Sequence, residues 1–294
     1  KCIEQKTPTE AAYLDPIQLG SIVVALVGLV LALNQGGVAI SAAVSGKSAT
    51  RSGIIAIVSL IVGLALLIVF AMSSKRAFSP LLRLGILKDP AVLLHACAYL
   101  LLPLVAIGYG YVITNVAQLS LGTTAFVAGS LVLPGALVGA VCAPLGGWFY
   151  DKFGAVKPIL IPIGIAILGP VLMLVFSMQL TPVLLAGFYF IFGLFYSIGN
   201  ANVMTSGLSE VSPEFKPDGN AIFNTCLQFG GAAALFSTIL SVAQAGAGEE
   251  GTAEFAHATA VGGTWTFATM TVICLIGWCC LATAFRIRAA RKRA

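Results

Sequence analysis

Two long stretches of this sequence contain no Asp, Glu, Lys or Arg. They cover residues 90–150 and 158–209, which are 61 and 52 consecutive residues. About 20 apolar residues in helical form cross the roughly 30 Å hydrocarbon layer of a bilayer, so each stretch is long enough to cross it twice. Backbone polar groups must be paired inside lipid, which leaves only helices or a closed barrel. Neither stretch alternates polar with apolar residues, and this favours helices.

The composition of the whole chain supports a membrane protein. Hydrophobic residues make up 59% of the chain and charged residues only 9%, with a mean hydropathy of +0.99. A soluble domain carries about 25% charged residues. We therefore predict an all-α polytopic membrane helix bundle in contact with the lipid bilayer. The net charge of +5 is attributed to topology and anionic headgroups, without a nucleic-acid partner.

Eight transmembrane helices are predicted from the apolar segments. They cover residues 17–35, 53–72, 90–112, 125–149, 158–178, 182–206, 220–243 and 264–285. The last six divide into two groups of three with similar composition, which is weak evidence for a 3+3 repeat of the kind found in transporters. The predicted domains are a linker at 1–16, two extra transmembrane helices at 17–72, a basic linker at 73–89, a six-helix bundle at 90–285 and a basic tail at 286–294.

The distribution of basic residues predicts the orientation. Placing both ends of this segment in the cytoplasm puts fourteen of the sixteen Lys and Arg residues inside, and only Lys47 and Arg51 outside. Cytoplasmic loops of membrane proteins carry an excess of Lys and Arg, so this orientation is expected, in the plasma (inner) membrane of the cell. The first residues, KCIEQKTPTE, are polar and lack an initiating Met, which indicates a linker within a longer chain.

A short charged segment, GGWFYDKFGAVKP at 146–158, separates the two uncharged stretches. Its pattern Gly147-x-x-x-Asp151-Lys152-x-Gly154-x-x-Lys157 resembles the loop signature of the major facilitator superfamily. Three further segments resemble the fourteen-span drug:proton antiporters of that superfamily: SPLLRLGILKD at 79–89, QLSLGTTAFVAGSLVLPG at 118–135 and GNAIFNTCLQFGGAAA at 219–234.

The resemblance implies that the chain corresponds to spans seven to fourteen of such a transporter, the C-terminal portion, with a six-helix N-terminal bundle of the same polypeptide missing. It implies proton-coupled, alternating-access export of lipophilic or drug-like compounds. Two alternatives remain open: an uptake porter for a neutral metabolite on the same fold, and a membrane assembly protein without transport activity. No predicted span contains Asp or Glu, which favours a neutral or lipophilic small-molecule substrate.

The charged segment has two interpretations. Its Lys residues could simply hold the loop in the cytoplasm, but a single carboxylate contributes little to orientation. The resemblance implies a gating loop that latches the two bundles of the transporter, formed by Gly147, Asp151, Lys152, Gly154 and Lys157. Gly147 is expected to allow close approach of a neighbour, and Gly154 to permit a turn with positive φ. Gly135, Gly139, Ala143 and Gly147 recur every four residues and predict a helix-packing stripe.

Polar side chains within the spans are the candidates for a substrate cavity, since unpaired amides in lipid are costly. The candidates are Tyr111, Asn115, Gln118, Tyr196, Asn200, Asn202, Asn224 and Gln228. Interhelical hydrogen bonding is the alternative for each of them. His95 is read either as a proton carrier or, more simply, as a packed histidine.

No set of residues predicts catalysis, a cofactor or a metal site. Six of the seven cysteines lie inside predicted spans without a C-x-x-C pair, which is typical of buried thiols. No nucleophile, base and oxyanion donors occur in a recognisable pattern. The sequence therefore predicts a transporter and not an enzyme.

Overall fold

The computed structural model describes residues 15–76, 83–228, 231–291 and 293. That part of the chain contains twelve α-helices, three short 3₁₀ segments and no strand. The helices are α1 Pro16–Val44, α2 Thr50–Arg76, α3 Pro90–Leu119, α4 Ala125–Ser130, α5 Leu133–Phe153, α6 Val156–Ala166, α7 Leu168–Val175, α8 Pro182–Asn200, α9 Val203–Leu208, α10 Lys216–Leu227, α11 Gly231–Gln244 and α12 Ala253–Arg291. The 3₁₀ segments are Leu84–Lys88, Ser177–Gln179 and Pro213–Phe215.

Seven segments in the described residues are long and apolar enough to cross a bilayer. They are α1, α2, α3, α12 and the pairs α4–α5, α6–α7 and α8–α9. The region of the predicted span 220–243 contains α10 and α11, each shorter than a full crossing, while residues 229–230 lie outside the described part. The all-α polytopic membrane bundle is confirmed.

Several helices are longer than the predicted spans. Helix α1 continues to Val44, nine residues beyond the predicted span, and α12 covers 39 residues from Ala253, which is eleven residues before the predicted span begins. At 1.5 Å per residue, α12 is about 58 Å long, well beyond a hydrocarbon layer of about 30 Å. The hydropathy of a segment therefore does not fix the residues at which its helix begins and ends.

Helix starts follow from short sequence signals. Asp15, Asp89, Thr124 and Thr181 are N-cap residues, and each side chain accepts a hydrogen bond from a backbone N–H of the first turn. Proline follows the cap in α1, α3 and α8, where its missing N–H would be unpaired in any case.

Helix α3 lies at the centre of the bundle and packs against α9, α10, α11 and α12. Tyr109 of α3, Phe236 of α11 and Phe267 of α12 are fully buried in this core. Gly108 permits the contact, because a Cβ at that position would overlap the ring of Phe236. The bundle core is therefore built around the first helix after the basic linker.

Helices α1 and α2 form a closely packed pair. A Cβ on Gly28 would lie 3.1 Å from the carbonyl oxygen of Ser59, and a Cβ on Gly63 would lie 3.1 Å from that of Ala25. The exposed side of α2 carries aliphatic residues such as Ile57 and Ile61, which are 60% and 61% exposed. Such a surface fits contact with lipid. The pair also contacts the six-helix bundle, since α1 packs along α11.

Candidate transport site

The charged segment 146–158 includes the end of α5, so Asp151 and Lys152 lie in the last turn of that helix, which stops at Gly154. Gly154 has a φ of +73°, as its position in the motif predicts, and its N–H donates to the carbonyl oxygen of Tyr150 at 2.9 Å. Asp151, Lys152 and Lys157 are all exposed. The Lys152 ammonium lies 4.8 Å from the centre of the Trp148 ring. Asp151 forms no ion pair with any described residue, so the gating role of this loop stays a prediction.

The packing stripe on α5 differs from the prediction at its last position. Cβ atoms on Gly135 and Gly139 would overlap Tyr189 and Ser197 of α8, whereas no described atom lies within 4 Å of a Cβ on Gly147. Gly146 makes the contact instead, against the carbonyl oxygen of Ile198. Eleven residues complete three helical turns to within about 20°, so residue 146 lies above residue 135 and residue 147 does not. The predicted close approach at Gly147 is therefore wrong within the described residues.

Two of the three candidates on α3 bond to their own helix, whereas the Tyr111 side chain bonds to Ser237 of α11. Asn115 donates to the carbonyl oxygen of Tyr111 at 2.8 Å, and Gln118 donates to that of Thr114 at 3.1 Å. All three candidates, Tyr111 included, are half-buried. An amide that donates one N–H to its own backbone keeps its oxygen and its second N–H available for a ligand.

The candidates on α8 and at the start of α9 lie in different surroundings, and Asn202 is the one that contacts α5 among the described residues. Tyr196 stacks on Phe192, with ring centres 5.0 Å apart. Asn200 Oδ1 and Asn202 Nδ2 are buried without a hydrogen-bond partner among the described residues. A Cβ on Gly146 would lie 3.1 Å from Asn202 Nδ2, so this amide packs against the glycine face of α5.

Asn224 and Gln228 are the two candidates that the structure brings together in one cavity. The cavity lies between α1 and α10 and has a volume of about 740 Å³. Asn224, Thr225 and Gln228 line one side, and Asn34 lies on the other. The remaining six candidates do not line this cavity, and their contact with substrate stays a prediction.

Sequence reasoning missed Asn34 and Thr225. Asn34 stands in the segment LALNQGG, at the predicted end of the first span, where a polar residue is expected to meet water. Because α1 continues for ten residues beyond Asn34, its amide lies well inside the helix. The available signal was an amide followed by ten residues without Asp, Glu, Lys or Arg.

His95 is a packed histidine in this structure. It is fully buried, its Nδ1 lies 2.8 Å from the carbonyl oxygen of Ala91, and its Nε2 lies 3.2 Å from the Ser206 hydroxyl. A carbonyl only accepts, so Nδ1 donates and Nε2 of the neutral ring accepts from Ser206. Both ring nitrogens thus have partners.

The seven helical segments long and apolar enough to cross a bilayer define a polytopic helical membrane protein. The family model of the Major Facilitator Superfamily matches residues 18–235. The chain therefore belongs to the major facilitator superfamily, a family of membrane transporters.

Curated relatives carry drug-resistance names. The lincomycin resistance protein LmrB of Bacillus subtilis is 32% identical over 180 residues, which cover 60% of this chain and 37% of LmrB. LmrB of Listeria monocytogenes is 29% identical over 218 residues, covering 72% of this chain and 45% of the relative. The uncharacterised MFS-type transporter YcnB of Bacillus subtilis is 27% identical over 229 residues, which cover 76% of this chain and 47% of YcnB. The chain spans less than half the length of these relatives.

Proposed function

We propose that this chain is the C-terminal portion of a fourteen-span transporter that exports lipophilic compounds. Membership of the superfamily supports transport. The similarity to two proteins named for lincomycin resistance is the observation that carries export, because resistance by a membrane transporter requires that the drug leave the cell.

The chemistry of the cavity supports an uncharged or lipophilic cargo. The described residues that line it are the aliphatic Leu26, Val27, Val30 and Leu31 with three amides and one hydroxyl, and none carries a charge. Apolar walls with a few polar groups are typical of small-molecule sites of about 300–1,000 Å³. Such a site binds by apolar contact and hydrogen bonds, without an ion pair.

Proton coupling and alternating access complete the proposal. Both come from the resemblance to drug:proton antiporters. The segment would lie in the plasma membrane with both ends in the cytoplasm, as its basic residues indicate. The N-terminal six-helix bundle would close the substrate pathway from the other side.

The test is export of radiolabelled lincomycin by the full-length protein in a susceptible bacterium. Cells that produce it should retain less lincomycin than cells with the empty vector. A protonophore should abolish the difference if the proton gradient drives export. Equal retention in both strains would overturn export of this compound, and higher retention would favour an uptake porter.

A further inference from the structure

The cavity between α1 and α10 is bracketed by contacts on both sides. Toward the start of α1, Ile22 packs with Phe70 of α2 and Ile222 of α10. Toward its end, the Ser41 hydroxyl donates to the carbonyl oxygen of Ser241 at 3.2 Å. Because α1 meets the bundle at both points, the space between them is an open gap between α1 and α10.

The contact toward the end of α1 is especially close. A Cβ on Gly37 would overlap the side chain of Thr238, so glycine is needed for α1 to reach α11. The Thr238 hydroxyl also lies 3.4 Å from the carbonyl oxygen of Leu33, one residue before Asn34. This contact fixes the backbone of α1 next to Asn34, which lies at the rim of the cavity.

The amides of the cavity lie several turns from the starts of α1 and α10. At 1.5 Å per residue, Asn34 is about 27 Å from the start of α1, and Gln228 is about 18 Å from the start of α10. In the part of the chain that the structure describes, neither side chain makes a hydrogen bond, and both are exposed. An amide without a partner in hydrocarbon costs several kcal/mol, so a polar occupant of the cavity would stabilise these groups.

We propose that this cavity binds drug-sized amphiphilic compounds and that α1 supplies one of its walls, with Asn34 as a hydrogen-bonding group for the ligand. The aliphatic residues 26–31 contact the apolar part of the compound. Asn34 meets its polar groups from one side, and Asn224 and Gln228 meet them from the other. The inference rests on the proposed export function and specifies a substrate site for it. One of the two extra transmembrane helices, α1, thereby takes part in substrate recognition.

The experiment measures equilibrium binding of tritiated lincomycin to the purified full-length protein, together with export from cells. Asn34→Leu removes the amide at similar volume and should weaken binding about three- to tenfold, the effect of losing one hydrogen bond. Leu31→Trp fills part of the cavity and should weaken binding at least as much.

Matched controls lie on the same helix. Gln35→Leu removes the neighbouring amide, and Leu33→Trp enlarges a side chain that is 40% exposed, the same exposure as Leu31. Neither Gln35 nor Leu33 lines the cavity. The affinity of both controls for lincomycin should lie within about twofold of wild type, as is usual for substitutions away from a site. Asn34→Ser provides a second variant if Asn34→Leu does not fold.

The outcomes separate the two proposals. Weaker binding by Asn34→Leu and Leu31→Trp alone supports α1 as a wall of the site. If wild type exports lincomycin but both cavity variants bind it normally, the inference is overturned and the export function stands. Normal binding by both variants overturns the inference whatever their melting temperatures. Absence of export and binding in wild type overturns the proposed function itself.

Discussion

Arg291 donates two hydrogen bonds to Asp89, from Nη1 to Oδ2 at 2.8 Å and from Nη2 to Oδ1 at 3.0 Å. The contact joins the last residue of α12 to the N-cap of α3. Asp89 Oδ1 also accepts from the backbone N–H of Ala91 at 2.8 Å. Hydrogen bonding by Arg291 is the main cause that holds the pKa of Asp89 below its usual value. The first and last helices of the six-helix bundle are thus tied together at one membrane face.

The first prediction separates the two roles of Asp89. Asp89→Asn keeps a side-chain acceptor for the cap but loses the ion pair, which is partly exposed and is expected to contribute about 0.2–1 kcal/mol. Asp89→Ala also loses the cap, at a further cost of about 1 kcal/mol. Melting temperatures of the purified protein should therefore fall in the order wild type, Asn, Ala. Equal melting temperatures of the two variants would argue against the capping role.

The second prediction concerns acid. The pKa of Asp89 is lowered in the folded state, so its ion pair stabilises the protein above the ordinary pKa of 3.8 and this contribution is lost as the pH falls through the folded-state value. Arg291→Gln should therefore be less stable than wild type at neutral pH, and the difference should shrink as acid protonates Asp89. The measurement is the melting temperature against pH.

Arg286→Gln is the control for that experiment. Arg286 is also exposed near the end of α12, and it forms no ion pair with a described residue. Its replacement should leave the melting temperature close to wild type over the whole pH range. A pH-independent loss in Arg291→Gln would indicate packing by the arginine instead of the ion pair.

The third prediction tests the glycine face of α5. A Cβ on Gly139 would lie 3.0 Å from the carbonyl oxygen of Gly193 and would also meet Ser197, whereas a Cβ on Gly147 meets no described atom. Gly139→Ala should destabilise the protein by about 1–3 kcal/mol through overpacking. Gly147→Ala should be neutral or slightly stabilising, since alanine favours helix. Thermal unfolding of both variants provides the comparison, and a larger loss at Gly147 would show that a segment outside the described residues packs there.

The fourth prediction concerns orientation. In a background without native cysteines, Cys at Thr123 and Glu250 should react with membrane-impermeant thiol reagents added to intact cells. Cys at Lys152 and Lys216 should react only after the membrane is opened. Glu250 is chosen over its neighbour Gly251, whose φ of +94° disfavours any side chain. The reverse labelling pattern would refute the predicted topology.

The fifth prediction returns to the charged segment at the end of α5. If Asp151 latches another part of the full-length transporter in one conformation, Asp151→Asn removes an interaction of about 0.3–2 kcal/mol from that conformation only. A change of about 1.4 kcal/mol alters a two-state ratio tenfold, so export should fall. Lys152→Gln should do less, because several basic residues share its topological role. Export at matched protein abundance is the measurement, and wild-type export by Asp151→Asn would leave only the topological role.

The sequence alone predicted the elements that depend on composition and on local signals. Uncharged apolar stretches revealed the membrane helices, since hydrocarbon excludes charge whatever the tertiary arrangement. Gly154 was predicted to permit a positive φ, and it ends α5 with a φ of +73°. The Asp-Pro and Thr-Pro pairs at 15, 89 and 181 are local signals that the prediction did not use, and they mark helix starts because capping involves residues within one turn.

Tertiary structure decided which of these residues meet. That Gly146 and not Gly147 faces α8 depends on the cumulative phase of a 3.6-residue helix over three turns, which a four-residue spacing misses. That Asn34 faces Asn224 and Gln228 depends on α1 docking between Ile222 and Thr238, residues about 200 positions away in the chain. Hydropathy reports the preference of each residue for lipid, but the partner of an amide inside the membrane is set by packing between helices that are distant in sequence.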